Sequence, residues 1–319
     1  MKLTCVILDA HAANPGDLSW DWLKKDFDLT VYPRTSPDEI VGRAKDADVL
    51  ILNKVPVTRE TLAQLPRLKF IATLATGYNQ LDCDALRERG VPVSNIPSYS
   101  TDGVAQAVFS FLLESVNRVA EYTSSVRAGD WVNSADFCYM KTPLHELRAL
   151  TLGIIGFGKI GARVAEIASA FGMRVMAYTP SGKKDGYPAV TFTTLDDLLA
   201  QADVVTLHCP LTSKTAGMVN AEFLSKMKNG AALINTARGG AIVEADVAAA
   251  LQSGKLAFYG SDVLSSEPPK ADNPLLTAPN CYLTPHIAWA AYETRVRLME
   301  ILQGNVEAYL AGKPINVVN

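Results

Sequence analysis

The sequence has few of the features that mark membrane, nucleic-acid-binding or secreted proteins. Its cysteines are sparse and dispersed: Cys5, Cys83, Cys138, Cys209 and Cys281 in 319 residues, with no CxxC pair. That odd, scattered set argues against a disulfide framework or a zinc knuckle and suits a reducing cytoplasm. Neither charge sign dominates: 30 basic against 33 acidic residues leave a formal net charge of -3, which gives no support for nucleic-acid or polyanion binding. The apolar run Leu3–Leu8 behind Lys2 stops at Asp9 and is too short for a signal-peptide core. No stretch approaches the roughly 18 consecutive apolar residues of a membrane helix. Internal repeats, low-complexity tracts, charge runs and metal-ligand spacings are missing as well.

What is present is ample apolar material. At 48% hydrophobic residues the chain can bury a sizeable core, and its length favours more than one domain. Short apolar runs alternate with helix-compatible segments: Cys5–Leu8, Leu29–Tyr32, Val49–Leu52, Phe70–Leu74 and Pro92–Ser94 read as strands. The spacing of Val104, Val108, Phe111, Leu112, Ser115 and Val119 predicts one long helix from about Thr101 to about Tyr122. An irregular aromatic stretch with Trp131, Phe137 and Tyr139 follows. A second alternation then supplies Thr151–Ile155, Arg174–Tyr178, Val190–Phe192, Val204–Leu207, Ala232–Asn235, Phe258–Ser261 and Tyr282–Leu283. A helix from about Ala291 to Leu310 closes the chain. The reading is an α/β protein of two domains with parallel sheets and a cleft between them, in which ligands bind at the carboxyl ends of the strands.

The loops after strands therefore carry the functional argument. Gly156-Phe157-Gly158-Lys159-Ile160-Gly161 is a GxGxxG turn that leaves the strand Thr151–Ile155 and opens a helix. Gly156 permits the tight turn, Gly158 lets backbone approach a pyrophosphate, and Gly161 lets helix pack on strand. The free N–H groups and positive dipole end of that helix suit phosphate. The next strand ends at Tyr178 and Thr179, where a ribose-binding acid would select NAD. No acid stands there, and Ser181, Lys183 and Lys184 follow, which can neutralise a 2′-phosphate. The cofactor is expected to be NAD or NADP, with a lean to NADP.

Three further loops bring Arg238, Glu267 and His286 to the ends of successive strands. Reducing a 2-oxo acid needs a cation for the carboxylate, a proton donor for the carbonyl oxygen and a hydride donor. A guanidinium presents a planar fork matched to carboxylate. Histidine exchanges a proton near neutrality, and a neighbouring carboxylate favours its charged form. Singly, Arg238 can be a salt-bridge residue, Glu267 an exposed turn and His286 a structural histidine. Together, downstream of a dinucleotide turn, they point to catalysis. His208, which ends the Val204–Leu207 strand, is read as lining the adenine side, and Cys209 is assigned no reactivity.

From end to end the chain resembles the D-isomer-specific 2-hydroxyacid dehydrogenases. Its NTARGG, DVLSSEPP and TPHIAWA segments match that family's arginine, glutamate and histidine signatures. The resemblance implies that Arg238 binds and polarises the substrate, His286 is the acid/base and Glu267 tunes it. It implies that Asp262 meets the nicotinamide carboxamide, and that Cys209, Pro210, Thr236, Ala237, Arg238, His286 and Ala288 border the cofactor with Gly156–Gly161 and Thr179. It implies that Ala75, Thr76 and Gly77 offer backbone N–H groups to the substrate carboxylate. A flavodoxin-like substrate domain of residues 1–98 plus 293–319 and a Rossmann-type dinucleotide domain of residues 99–292 are expected. Helices near Val104–Tyr122 and Ala291–Leu310 would form the hinge, and the stretch from Trp131 to Tyr139 a homodimer contact. Trp289, with Asn53 and Lys54 facing a polar C3 hydroxyl, is most like the glycerate dehydrogenase (hydroxypyruvate reductase) branch. Hydroxypyruvate is the expected substrate, with glyoxylate second. A D-lactate-type dehydrogenase and a dinucleotide-binding corepressor remain alternatives. The absence of a regulatory domain after the closing helix argues against a long phosphoglycerate dehydrogenase, and Glu267 in place of an amide argues against a formate dehydrogenase.

Overall fold

The computed structural model describes residues 2–182 and 184–319. Lys183, one of the residues expected near a 2′-phosphate, lies outside them. Backbone contacts divide the chain into two units, residues 1–100 with 290–319 and residues 101–289.

In the first unit β1 (Leu3–Ile7), β2 (Phe27–Val31), β3 (Val49–Leu52), β4 (Phe70–Thr73) and β5 (Val93–Ser94) form one sheet of order β2-β1-β3-β4-β5. Every pairing is parallel. This is the flavodoxin-like order. Central strands β3 and β4 are buried at every position, whereas edge strand β2 is mostly exposed. That contrast is the mark of a parallel sheet covered on both faces.

The second unit holds β6 (Thr151–Ile155), β7 (Arg174–Tyr178), β8 (Val190–Phe192), β9 (Val204–Leu207), β10 (Ala231–Asn235), β11 (Leu256–Ser261) and β12 (Cys281–Leu283). They form an all-parallel sheet of order β12-β11-β10-β9-β6-β7-β8. This is the doubly wound order of nucleotide-binding sheets, extended by β12. Its switch point lies between β6 and β9, the place where such sheets bind ligands. Strands β6, β9 and β10 are fully buried. The Thr101–Asn117 helix packs on this sheet, and a Cβ added at Gly260 in β11 would lie 2.7 Å from the Phe111 ring. A side chain there would push the helix away.

One helix differs from the sequence reading. The expected run from Thr101 to Tyr122 breaks after Asn117, and a second helix starts at Val119. Arg118 takes a left-handed conformation (φ 52°), and its guanidinium reaches Asn280 Oδ1 at 2.9 Å. The Glu114 carboxylate accepts the Ala120 N–H that the break exposes, at 3.3 Å. Periodicity runs across the break because Val119 keeps the spacing, but Val119 is 61% exposed and faces no core. Among the described residues no helix is long and apolar enough to cross a membrane.

Candidate active site

The glycine turn sits at the switch point. Gly156 has φ +94°, and a Cβ on it would lie 2.6 Å from the Cys209 nitrogen and the His208 carbonyl carbon. Only glycine lets β6 and β9 deliver their loops so close together. A Cβ on Gly161 would meet the Gly156 carbonyl oxygen at 2.4 Å, so the helix start also needs a bare backbone. Gly158 differs: a Cβ there would meet nothing within 4 Å. The protein leaves that side of the turn open, as a group brought against the backbone requires. Gly158 caps the Lys159–Ala170 helix without a side chain, so the first-turn N–H groups stay available for an anion. Lys159 and Ile160 begin the helix. The Phe157 side chain is buried edge-on against Tyr187 and Phe192 and anchors the turn in the core.

Around the turn the other cofactor candidates are placed by β7, β9 and β10. Thr179 follows β7 and pairs its hydroxyl with Ser181 at 3.2 Å. After β9, the His208 N–H donates to Ile155 O at 2.7 Å, and its Nε2 pairs with the Thr206 hydroxyl at 3.0 Å. Burial pushes the His208 imidazole down to about 3, so it is neutral near pH 7. Burial pushes the Cys209 thiol up, consistent with an unreactive wall residue beside Pro210. After β10, the Thr236 hydroxyl is buried with no hydrogen-bond partner among the described residues. A buried orphan hydroxyl is costly unless a ligand satisfies it. The open glycine turn and this hydroxyl fit a nicotinamide dinucleotide.

The catalytic candidates come from β10, β11 and β12, which are neighbours in the sheet. In the Arg238 loop, Asn235 Nδ2 donates to Arg238 O at 3.0 Å and Asn235 Oδ1 accepts Ala237 N–H at 3.0 Å. Arg238 spends one N–H on Ala237 O at 2.7 Å and pairs with no carboxylate among the described residues. The salt-bridge explanation for it therefore falls away. A Cβ on Gly239 would lie 1.9 Å from the Leu264 carbonyl carbon, so the Arg238 loop lies directly against the loop that carries Glu267.

Glu267 Oε2 lies 2.6 Å from His286 Nδ1, and its Oε1 accepts the Leu264 N–H at 3.2 Å. Carboxylate only accepts, so Nδ1 carries the proton and Nε2 is left facing out with no partner among the described residues. His286 has φ 55°, a left-handed backbone uncommon for a residue with a side chain. Its loop is held by Asp262, which is buried. The Asp262 carboxylate accepts the Thr284 hydroxyl at 2.6 Å, the Ile287 N–H at 2.8 Å and the Ala288 N–H at 2.8 Å. A carboxylate has about four acceptor positions. Holding the histidine loop takes three, which leaves room for one further donor such as a carboxamide.

The substrate candidates of the first unit are also anchored. The N–H groups of Asn53, Lys54 and Val55 converge on the Asp9 carboxylate at 2.7, 2.6 and 3.2 Å. Gln80 Nε2 donates to Asn53 O at 2.7 Å and to the Thr73 hydroxyl at 3.1 Å. In the next loop Ala75 O accepts Ile96 N–H at 3.0 Å, and Thr76 O accepts Asn95 Nδ2 at 2.8 Å. Buried Asn305 in turn donates to Asn95 O at 2.9 Å. The carbonyls of Ala75 and Thr76 are thus taken, while the N–H groups of Ala75, Thr76 and Gly77 meet no acceptor among the described residues. Asp9, Gln80, Asn95 and Asn305 were not singled out from sequence. Their partners are distant in the chain, and lone polar residues at strand ends carry no spacing signal.

A glycine turn at the switch point of a doubly wound sheet, with a histidine–carboxylate pair and an arginine lacking a carboxylate partner among the described residues on loops of the same sheet, is the pattern of a nicotinamide-dependent oxidoreductase. Comparison with known proteins agrees. Residues 109–288 match the family described as D-isomer specific 2-hydroxyacid dehydrogenase, NAD binding domain. A hydroxypyruvate reductase of Blautia hydrogenotrophica is 45% identical, covering 98% of this chain and 99% of its own. A glycerate dehydrogenase of Methylorubrum extorquens is 44% identical over 89% of each chain. Among solved structures, an acyclic imino acid reductase in complex with NADPH and D-Arg superposes with a TM-score of 0.88, at 31% identity over 99% of this chain and 100% of that one. The chain belongs to the D-isomer specific 2-hydroxyacid dehydrogenases.

Proposed function

We propose that the protein reduces hydroxypyruvate to D-glycerate, and glyoxylate to glycolate as a second reaction, at the expense of a reduced nicotinamide dinucleotide. The observation that carries the reading is the 2.6 Å contact of His286 Nδ1 with Glu267, on a loop packed against the carboxylate-free Arg238. When bound, the dinucleotide supplies the hydride. Arg238 grips the substrate carboxylate and polarises the carbonyl. His286 holds a proton at Nε2 towards the C2 oxygen and gives it up as the alcohol forms. Glu267 keeps the ring in the tautomer and orientation that this needs. In the first unit, the N–H groups of Ala75, Thr76 and Gly77 suit a carboxylate, and Asn53 and Lys54 suit a substrate with a polar C3 group. The names carried by the similar reductase and dehydrogenase support hydroxypyruvate over lactate-type substrates, and nothing in the site favours a corepressor role. A steady-state comparison of hydroxypyruvate, glyoxylate and pyruvate tests the choice: kcat/KM highest for pyruvate would overturn it.

For the cofactor we infer that NADPH serves at least as well as NADH. Thr179 puts a hydroxyl where an acid would repel a 2′-phosphate, and Ser181 and Lys184 follow it. A tenfold preference for NADH in kcat/KM would contradict this.

The working form is proposed to be a cytoplasmic homodimer. Val132, Phe137 and Met140 are 86, 89 and 79% exposed, and Val119, Trp131 and Leu144 extend the same apolar stretch. Apolar side chains so open in one segment suit a second copy of the chain. A monomer by light scattering would exclude it.

A further inference from the structure

We propose that Glu244 is a positioning residue that fixes Glu267 opposite His286. The proposal rests on reading Glu267 and His286 as the acid–base pair. Glu267 lies within a segment, residues 265–272, that is exposed throughout. Apolar burial does not hold such a segment, so its shape depends on polar ties.

The ties at its two ends converge on one carboxylate. Glu244 Oε1 accepts the Ser265 N–H at 2.8 Å, and Oε2 accepts the Ser265 hydroxyl at 2.8 Å. The same Oε2 accepts Asn273 Nδ2 at 3.0 Å. Ser265 and Asn273 flank Glu267 in the chain, so both ends of its segment hang on Glu244. The far end is itself firm, because Asn273 is buried and its Oδ1 accepts the Leu275 N–H at 3.0 Å.

Glu244 is well rooted for this task. It is the first residue of the Glu244–Gln252 helix, and that helix buries Val247, Ala248, Ala250 and Leu251. An acid at a helix start is ordinarily explained by the helix dipole. Here Asp246 already places a second acid in the first turn, and both Glu244 oxygens turn outward to the Glu267 segment. The helix thus acts as the fixed post, and Glu244 as the link that transmits its position to the catalytic carboxylate.

A double-mutant cycle tests this, using the full-length protein with hydroxypyruvate and NADPH, and fluorescence titration of NADPH as the check on the nucleotide site. Glu244→Ala is expected to lower kcat about tenfold while the KM for hydroxypyruvate and the Kd for NADPH change less than about twofold. In a Glu267→Gln background the same change should cost less than about twofold, because the group it positions is already gone. Glu244→Gln keeps the volume and one acceptor oxygen and should restore kcat to within about threefold of the parent. If Glu244→Ala does not fold, Asn273→Ser leaves Glu244 in place, unties the far end, and is expected to lower kcat about threefold with the same non-additivity. Parental kcat in Glu244→Ala, or losses that multiply fully with Glu267→Gln, would overturn the proposal. Parental kcat in Glu267→Gln alone would instead remove the acid–base reading, and Glu244's role with it.

Discussion

His286 Nδ1 and Glu267 Oε2 are 2.6 Å apart although they come from loops after different strands, β12 and β11. With Nδ1 bound to a carboxylate, Nε2 is the nitrogen that the proposed mechanism uses to exchange a proton with substrate. Replacing Glu267 by Gln keeps an acceptor but removes the charge. We expect kcat for hydroxypyruvate to fall about tenfold, with NADPH affinity little changed. Stopped-flow or steady-state rates check this, and an unaltered kcat would show that the charge is idle.

Arg238 has no carboxylate partner among the described residues, so its fork is available to a ligand. Arg238→Lys keeps the charge and loses the planar pair of donors. The variant should lose about a hundredfold in kcat/KM for hydroxypyruvate. Retention of the parental kcat/KM would mean that a point charge suffices and that the carboxylate is bound elsewhere.

Thr179 directly follows the strand that positions the adenosine ribose in sheets of this order. Thr179→Asp places a negative charge there. The ratio of kcat/KM for NADH over NADPH should rise about tenfold or more, read from initial rates with each cofactor. A ratio that does not move would place the ribose site away from Thr179.

The neutral His208 makes a prediction about stability. Its folded-state value is about 3, against the ordinary 6.5. The unfolded chain therefore takes up a proton, as pH falls through 6.5, that the folded chain refuses until about 3. The folded state binds fewer protons, so this group costs stability progressively as pH drops across that window and costs nothing above it. His208→Gln should flatten the loss of Tm between pH 7 and pH 5 relative to the parent. Parallel Tm curves for the two proteins would contradict this assignment.

Much of this architecture was legible in the residues. The strands Val49–Leu52, Thr151–Ile155, Arg174–Tyr178, Val190–Phe192 and Val204–Leu207 are read from apolar runs and observed with the same bounds. These parallel strands are short and mostly apolar, so their signal is local. The glycine turn and the loop of Arg238 are legible for the same reason, since each follows a buried strand directly, and the loops of Glu267 and His286 follow β11 and β12. The break at Arg118 was not. It depends on Asn280, far along the chain, which no helical periodicity reports. Nor were Asp9, Gln80 and Glu244, whose side-chain partners lie 44 to 46, 7 to 27 and 21 to 29 residues away. A sequence shows which groups stand at strand ends. Folding decides which distant carboxylate or amide holds them there.

Turnover of His286→Ala tests the acid–base assignment most directly. Its kcat for hydroxypyruvate reduction should fall by a factor of about 100 or more, with the Kd for NADPH within about twofold of the parent. Turnover equal to the parent's, with the nucleotide still bound, would contradict it.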